Sequence, residues 1–411
     1  MHRPSVWMML AVLLLGILIL REPRFEKLEE SFLRWLLENS QPQGTPVPLT
    51  VVEIGRGQAT QKEEETQKDS SKAFLHGGGT AISPLEYALF LQSVLEFQPT
   101  VVAFENILKW PERDKDQEQV FLDQAMRVPK LLLGAELTTT PDPDAPGAEI
   151  QNFTQVTGSR SDLIEFSGIG RQSSEEMRLI STAGFINLPD QIVDDLHVPL
   201  LFRYRGEVIP SFALEAILLW LRVTPAELKI DLSSHIALPN GRQIPIHSDG
   251  TILIDPNAAK NARQISLNQL LVAAQQRGRG GATTAHLEDI RDHIVLAHAA
   301  ANPLAPPDLF AATIATIQSH DYVCRVSRIF DYMILVIAMV LAGFVGKISR
   351  WNLVLGAIAF TAGYCLIALA VASRWLFWLP GFFPLGATWL LVLVGLFGRK
   401  ASTPREVPKQ T

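Results

Sequence analysis

Cysteine is scarce, with two residues in a chain of 411. Cys324 stands just before a hydrophobic block and Cys365 lies deep in one of its long stretches. The two are not placed to meet, so no disulfide framework holds this fold. Its stability has to come from an apolar core, and the roughly 300 residues outside the hydrophobic runs suffice to build one. A basic excess is also missing. Lys and Arg number 36 against 42 Asp and Glu, a net charge of −6, which removes the electrostatic footprint of a nucleic-acid binder. Two catalytic spacings are absent as well. His76-Gly77-Gly78-Gly79 has the composition of an oxyanion loop, but that chemistry needs a Gly-x-Ser-x-Gly elbow and none occurs. His286, Asp289 and His293 share a rough helical face and His298 follows the last strand. No His-Glu-x-x-His spacing accompanies them, so they read as satisfied or exposed side chains. No catalytic residue, cofactor or metal site is assigned, and the chain is not expected to be an enzyme.

Long hydrophobic runs are what the chain does have. Residues 332–345, 351–371 and 375–397 follow one another closely. The two longer ones reach the roughly 20 apolar residues that a helix needs to cross a hydrocarbon core of about 30 Å. Backbone groups in lipid must be paired within their own segment, so all three are expected to be helices. The loop 346–350 carries Lys347 and Arg350, and Arg399, Lys400, Arg405 and Lys409 follow the last run, whereas 372–374 carries Arg374 alone. The positive-inside rule puts the more basic sides in the cytoplasm, and Trp351, Trp375 and Trp378 fall at run ends, as interfacial aromatics do. Everything before Phe330 then lies outside the cytoplasm. Residues 6–20 form a further apolar run with no small-residue cleavage pair after it, and read as an uncleaved anchor. The expected division is an anchor at 1–20, a linker helix at 21–48, an extracytoplasmic domain at 49–328, three transmembrane helices at 329–397, and a short basic tail at 398–411. That gives a multi-pass protein of the cell membrane with both termini cytoplasmic and no output domain in the tail. Gly356, Ala359, Ala362 and Gly363 let helix backbones approach closely, within this bundle or against another membrane protein.

The exported part reads as alternating strands and helices. Apolar spacing makes 25–38 a helix. Residues 49–54 form a first strand that carries Glu53, and 55–79 a polar loop. Ser83-Pro84-Leu85-Glu86 has the pattern of a capping box with Pro at the first helical position. A helix to about Phe97 follows, then a strand at 100–104 ending on Glu105, a helix at 116–126, and a strand at 130–135 ending on Glu136. Residues 138–170, rich in Pro, Gly, Ser and Thr, read as irregular. Strands are expected at 184–187 and 199–204, and a helix at 211–221. Thr224-Pro225-Ala226-Glu227 repeats the capping pattern. Residues 244–254 look like a hairpin turning at Ser248-Asp249-Gly250. A helix at 266–274, a Gly/Arg loop at 275–284 and a buried strand at 294–297 complete the domain. The alternation predicts an α/β domain with a largely parallel sheet.

Four stretches resemble one family: Thr100-Val-Val-Ala-Phe104, Val198–Gly206 running into Ile209-Pro-Ser-Phe-Ala-Leu-Glu-Ala216, Ile244-Pro-Ile-His-Ser-Asp-Gly250, and Ile290-Arg-Asp-His-Ile-Val-Leu296. Together with the arrangement of hydrophobic runs they make the chain similar to the type-two CHASE domain, an extracytoplasmic sensory module between membrane helices. Glu53-Ile54-Gly55 stands where that family usually has a pair of acids. The resemblance implies a receptor that senses an unknown small-molecule ligand and signals, through its membrane helices, to a separate membrane or cytoplasmic partner protein.

Three acids are the candidate ligand-binding residues. Glu53, Glu105 and Glu136 each close a predicted parallel strand, and open α/β sheets bind ligands at the carboxyl ends of their strands. Three carboxylates there suit a cation or an amine, although acids are also common where strands open into solvated loops. Arg203 and Arg205 fit an anionic ligand or an ordinary solvated strand face. Asn152-Phe153-Thr154 is a glycosylation sequon of consequence only in a eukaryotic secretory route. Besides the sensor, two other readings stand: an envelope scaffold that reuses the fold without a ligand, and an exported hydrolase.

Overall fold

The computed structural model describes Leu14 and residues 23–40, 45–55, 82–141, 150–188, 196–239, 241–280, 287–299, 308–342 and 349–397. The chain forms two compact units, Gly44–Tyr322, and Met1–Gln43 together with Val323–Thr411.

The first unit is built on a six-stranded sheet. Its strands are β1 (Leu49–Ile54), β2 (Val101–Phe104), β3 (Leu131–Ala135), β4 (Thr182–Phe185), β5 (Arg263–Ser266) and β6 (Ile294–Ala299). The order is β5-β1-β6-β2-β3-β4, and every pairing is parallel. Most of these strands are continuous apolar runs because both faces of a parallel sheet are covered. Alternate side chains leave for opposite sides. Leu49, Val51, Val101, Ala103, Ile294 and Leu296 enter one core, and Val52, Ile54, Val102, Phe104, Val295 and Ala297 enter the other.

Among the described residues six helices accompany the sheet: α1 (Pro84–Leu95), α2 (Lys115–Ala125), α3 (Glu175–Leu179), α4 (Phe212–Leu221), α5 (Leu267–Gly278) and α6 (Leu309–Ser319). Residues of α1, α2 and α5 fill the core of Val52 and Phe104, whereas α4 and α6 fill that of Leu49 and Val101. Beneath α1 and α2 the rings of Tyr87, Phe104, Trp110 and Phe121 meet edge to face, with Tyr87 and Phe104 centroids 5.4 Å apart and Phe104 and Phe121 5.9 Å apart. Each such pair adds about 0.5–1.5 kcal/mol to the area it buries. At the start of α1 the Ser83 hydroxyl accepts the Leu85 N–H, and Pro84 occupies the first turn, where its missing N–H costs nothing. Helix α5 opens with a full capping box: Ser266 Oγ accepts from Gln269 N, and Gln269 Oε1 from Ser266 N.

Several expectations need correction. Residues 138–170 contain short strands, Gln155–Thr157, Glu165–Phe166 and Gly168–Ile169, which pair with partners remote in sequence. Residues 244–254 turn at Gly250, but their arms diverge. Gln243–Pro245 pairs with His235–Ala237, and Thr251–Leu253 with His197–Pro199. Thr224 makes no backbone cap; its hydroxyl bonds the Glu227 carboxylate at 2.8 Å, ahead of a single 3-10 turn. Helix α5 runs on to Gly278, into the segment expected as a loop. Strand β5 and helix α6 are elements that the residue pattern does not predict. The loop 56–79, with His76-Gly77-Gly78-Gly79, lies outside the described residues.

The second unit is helical: Pro23–Asn39, Arg328–Ala342, Arg350–Trp375 and Phe382–Phe397. Arg350–Trp375, with 26 residues, is the one described helix long and apolar enough to cross a membrane. The run 375–397 is not one helix. Phe377–Trp378 pairs with Cys324–Arg325 as a short parallel ladder, and the helix begins at Phe382. Its start is capped from a distance, because buried Glu29 accepts N–H groups of Gly381 and Phe383 at 2.6 and 3.0 Å. Asp331 is buried and pairs with Arg325 at 3.4 Å, while Arg325 also stacks over Trp378. In the long helix Ala357, Ala368 and Ala372 are buried, whereas Gly356, Ala359 and Ala362 are exposed. Of residues 6–20 only Leu14 is described, and the tail 398–411 is outside the described residues.

Candidate functional site

The chain leaves β1 and β2 for helices on one face of the sheet, and leaves β6, which lies between them, for α6 on the other. Successive connections therefore part at the carboxyl end of β6. A crevice opens at such a switch point, and ligands of open α/β sheets bind there.

Three side chains meet at this place. Glu53 on β1 is the register partner of His298 on β6. Glu105, the first residue after β2, is 2% exposed, and its carboxylate receives a hydrogen bond from the His298 ring through Nδ1. Burial pulls the imidazole toward its neutral form. The hydrogen bond and charge of Glu105, with the carboxylates of Asp308 and Glu53, outweigh that pull and hold the histidine above its ordinary value. A cleft of about 520 Å³ opens beside the group, lined by Glu53, Ser266, Gln269, His298 and Asp308. Asp308 comes from the turn before α6, in left-handed conformation with φ of 63°. Among the described residues no group of three His, Cys, Asp or Glu side chains is disposed to hold a metal ion.

Of the three acids singled out in the sequence, Glu53 and Glu105 converge on His298 and Glu136 does not. Glu136 follows β3 and pairs with Arg171 at 2.6 Å, in a loop that also joins the two backbones. His298 and Asp308 were missed as members of the site. A histidine in register with a strand-end acid is a usable signal only once the strand order is known. His293 is a satisfied side chain, bonded to the Thr50 hydroxyl at 2.9 Å. Arg203 pairs with Glu165, and Arg205 donates to the Ser167 carbonyl and lies over the Tyr204 ring.

A covered, wholly parallel sheet with two acids and a histidine gathered at its switch point defines an α/β domain of the open-sheet class. The chain belongs to the CHASE2 domain family, whose model matches residues 10–320. That family consists of extracytoplasmic sensory domains. No curated protein and no solved structure matches the chain.

Proposed function

We propose that this protein is an integral membrane sensor that works by binding and not by catalysis. Its α/β unit stands outside the cytoplasm, binds a small cationic ligand at the carboxyl end of β6, and passes the signal through the helical unit to a partner protein. The meeting of Glu53, Glu105 and His298 beside an open cleft at the switch point carries this reading. Glu53 and Asp308 line the cleft and Glu105 stands behind His298, so carboxylates outnumber the one basic side chain there, a balance that favours an amine. The Arg350–Trp375 helix, long and apolar enough to cross a bilayer, supports the membrane assignment.

The test is thermal unfolding of the full-length protein in detergent with a panel of small primary amines and diamines. An amine at about a hundred times its Kd adds about 2.7 kcal/mol to the folded state. The shift is expected to vanish in Glu53→Gln and in Glu105→Gln. A shift that survives both substitutions removes the cleft from the mechanism.

A further inference from the structure

A second cavity, of about 390 Å³, lies against the other end of the sheet, where β3 and the edge strand β4 meet α3 and the first turn of α4. It is walled by Leu133, Ile169, Phe185 and Pro210, and its charged lining residues are Glu175, Arg178 and Glu215. Glu215 is the exception in an otherwise apolar helix, Phe-Ala-Leu-Glu-Ala-Ile-Leu-Leu-Trp-Leu. It is 4% exposed, and among the described residues no hydrogen bond or opposite charge offsets its burial, which pushes the carboxyl up to about 7. Two more polar groups of the cavity's lining residues also lack partners among the described residues. Ser173, 6% exposed, has an unbonded Oγ, and Arg178 has an unbonded Nε–H. A buried acid, a buried hydroxyl and a guanidinium N–H without partners each cost about 1–3 kcal/mol if left unsatisfied, and more where charged. Their concentration around one cavity of ordinary ligand size marks a built site, not a packing fault.

We propose that this cavity is a binding site for a small zwitterion with an amine and a carboxylate on an apolar body, Glu215 taking the amine and Arg178 with Ser173 the carboxylate. Glu215 offers an acceptor to an ammonium, and an arginine N–H beside a hydroxyl suits a carboxylate oxygen. The apolar walls hold the body between them. This site is distinct from the cleft at β6, and neither depends on the other.

The experiment is thermal unfolding and calorimetry of the full-length protein in detergent, with L-leucine and 6-aminohexanoate as zwitterionic probes and hexylamine and hexanoate as one-ended controls. At least one zwitterion is expected to raise the unfolding midpoint by a few degrees, and both controls to do less. Glu215→Gln and Arg178→Gln each abolish the shift, while Ser173→Ala weakens binding about fivefold, the worth of one hydrogen bond. Glu53→Gln leaves it intact, which separates this site from the sensor cleft. Absence of a shift with both zwitterions overturns the proposal, and so does a shift that persists undiminished in Arg178→Gln, which keeps the test decisive if Glu215→Gln folds poorly.

Discussion

Protonated, His298 donates to Glu105 and faces Glu53 and Asp308, so its folded pKa lies above the unfolded one. The stability it contributes is complete below the ordinary histidine value of about 6.5. It is lost as pH rises through the higher folded value. Glu215, with Glu175 and Arg178 as the other charged groups lining its cavity, also has a raised pKa, for a different reason: burial without a partner. Its neutral form is the stable one, so its contribution is present below about 4.5 and fades as pH rises through about 7. The displacement is worth on the order of 3 kcal/mol. Both residues therefore make the protein less stable toward alkaline pH, but in different windows. The unfolding midpoint of Glu215→Gln is expected to lose its decline between pH 5 and 7 and keep the part above it. In Glu105→Gln the upper part should flatten instead. An unaltered profile in Glu215→Gln would show that the carboxyl is solvated.

At the scale of elements, β4 and α4 pack with no room to spare. A Cβ built on Gly184 falls 2.6 Å from Phe212 Cδ2 and 3.0 Å from Leu132 Cδ1. Gly184→Ala therefore forces strand and helix apart and is expected to cost about 1–3 kcal/mol in chemical denaturation. Gly278→Ala, in the last turn of α5 with no described atom within 4 Å, is expected to be neutral or slightly stabilising. Ser266→Ala removes the capping box of α5 and costs about 1 kcal/mol. The same elements explain what could be read from sequence. Strands β1, β2 and β3 are short apolar runs flanked by polar turns, and their limits were legible to within a residue. Strand β5, Arg-Gln-Ile-Ser, lies at the sheet edge with one buried residue, and an edge that is half solvated carries no apolar signal. Helix α6 is buried from Phe310 to Gln318, and a helix covered on all sides loses the polar face that makes its period visible. Residues 244–254 were read as a hairpin because local pairing is what a turn signal implies. Their true partners lie far off in sequence, where no local rule points. The candidate site was legible by half for the same reason. Glu53 and Glu105 announce themselves as strand-end acids, but His298 is 193 positions from Glu105, and only the insertion of β6 between β1 and β2 brings it there.

For the molecule as a whole, the proposed function rests on which side of a membrane the α/β unit occupies, and the two cysteines provide a direct test. Cys324 is exposed and stands two positions after Tyr322, where the α/β unit ends. Cys365 sits within the Arg350–Trp375 helix. With the α/β unit outside, Cys324 is at the outer water boundary and Cys365 is in the hydrocarbon, out of reach of a water-soluble maleimide. Intact spheroplasts expressing Cys365→Ser are expected to be labelled by a membrane-impermeant maleimide without lysis. The Cys324→Ser protein should stay unlabelled in intact and lysed cells alike. A reporter fused after Thr411 should be active only if that end is cytoplasmic, as Arg399 and Lys400 imply. Labelling of Cys324 only after lysis would put the cleft at β6 on the inner side. An external ligand would then have no route to Glu53 and Glu105, and the sensor reading would fail even if both cavities still bound their probes.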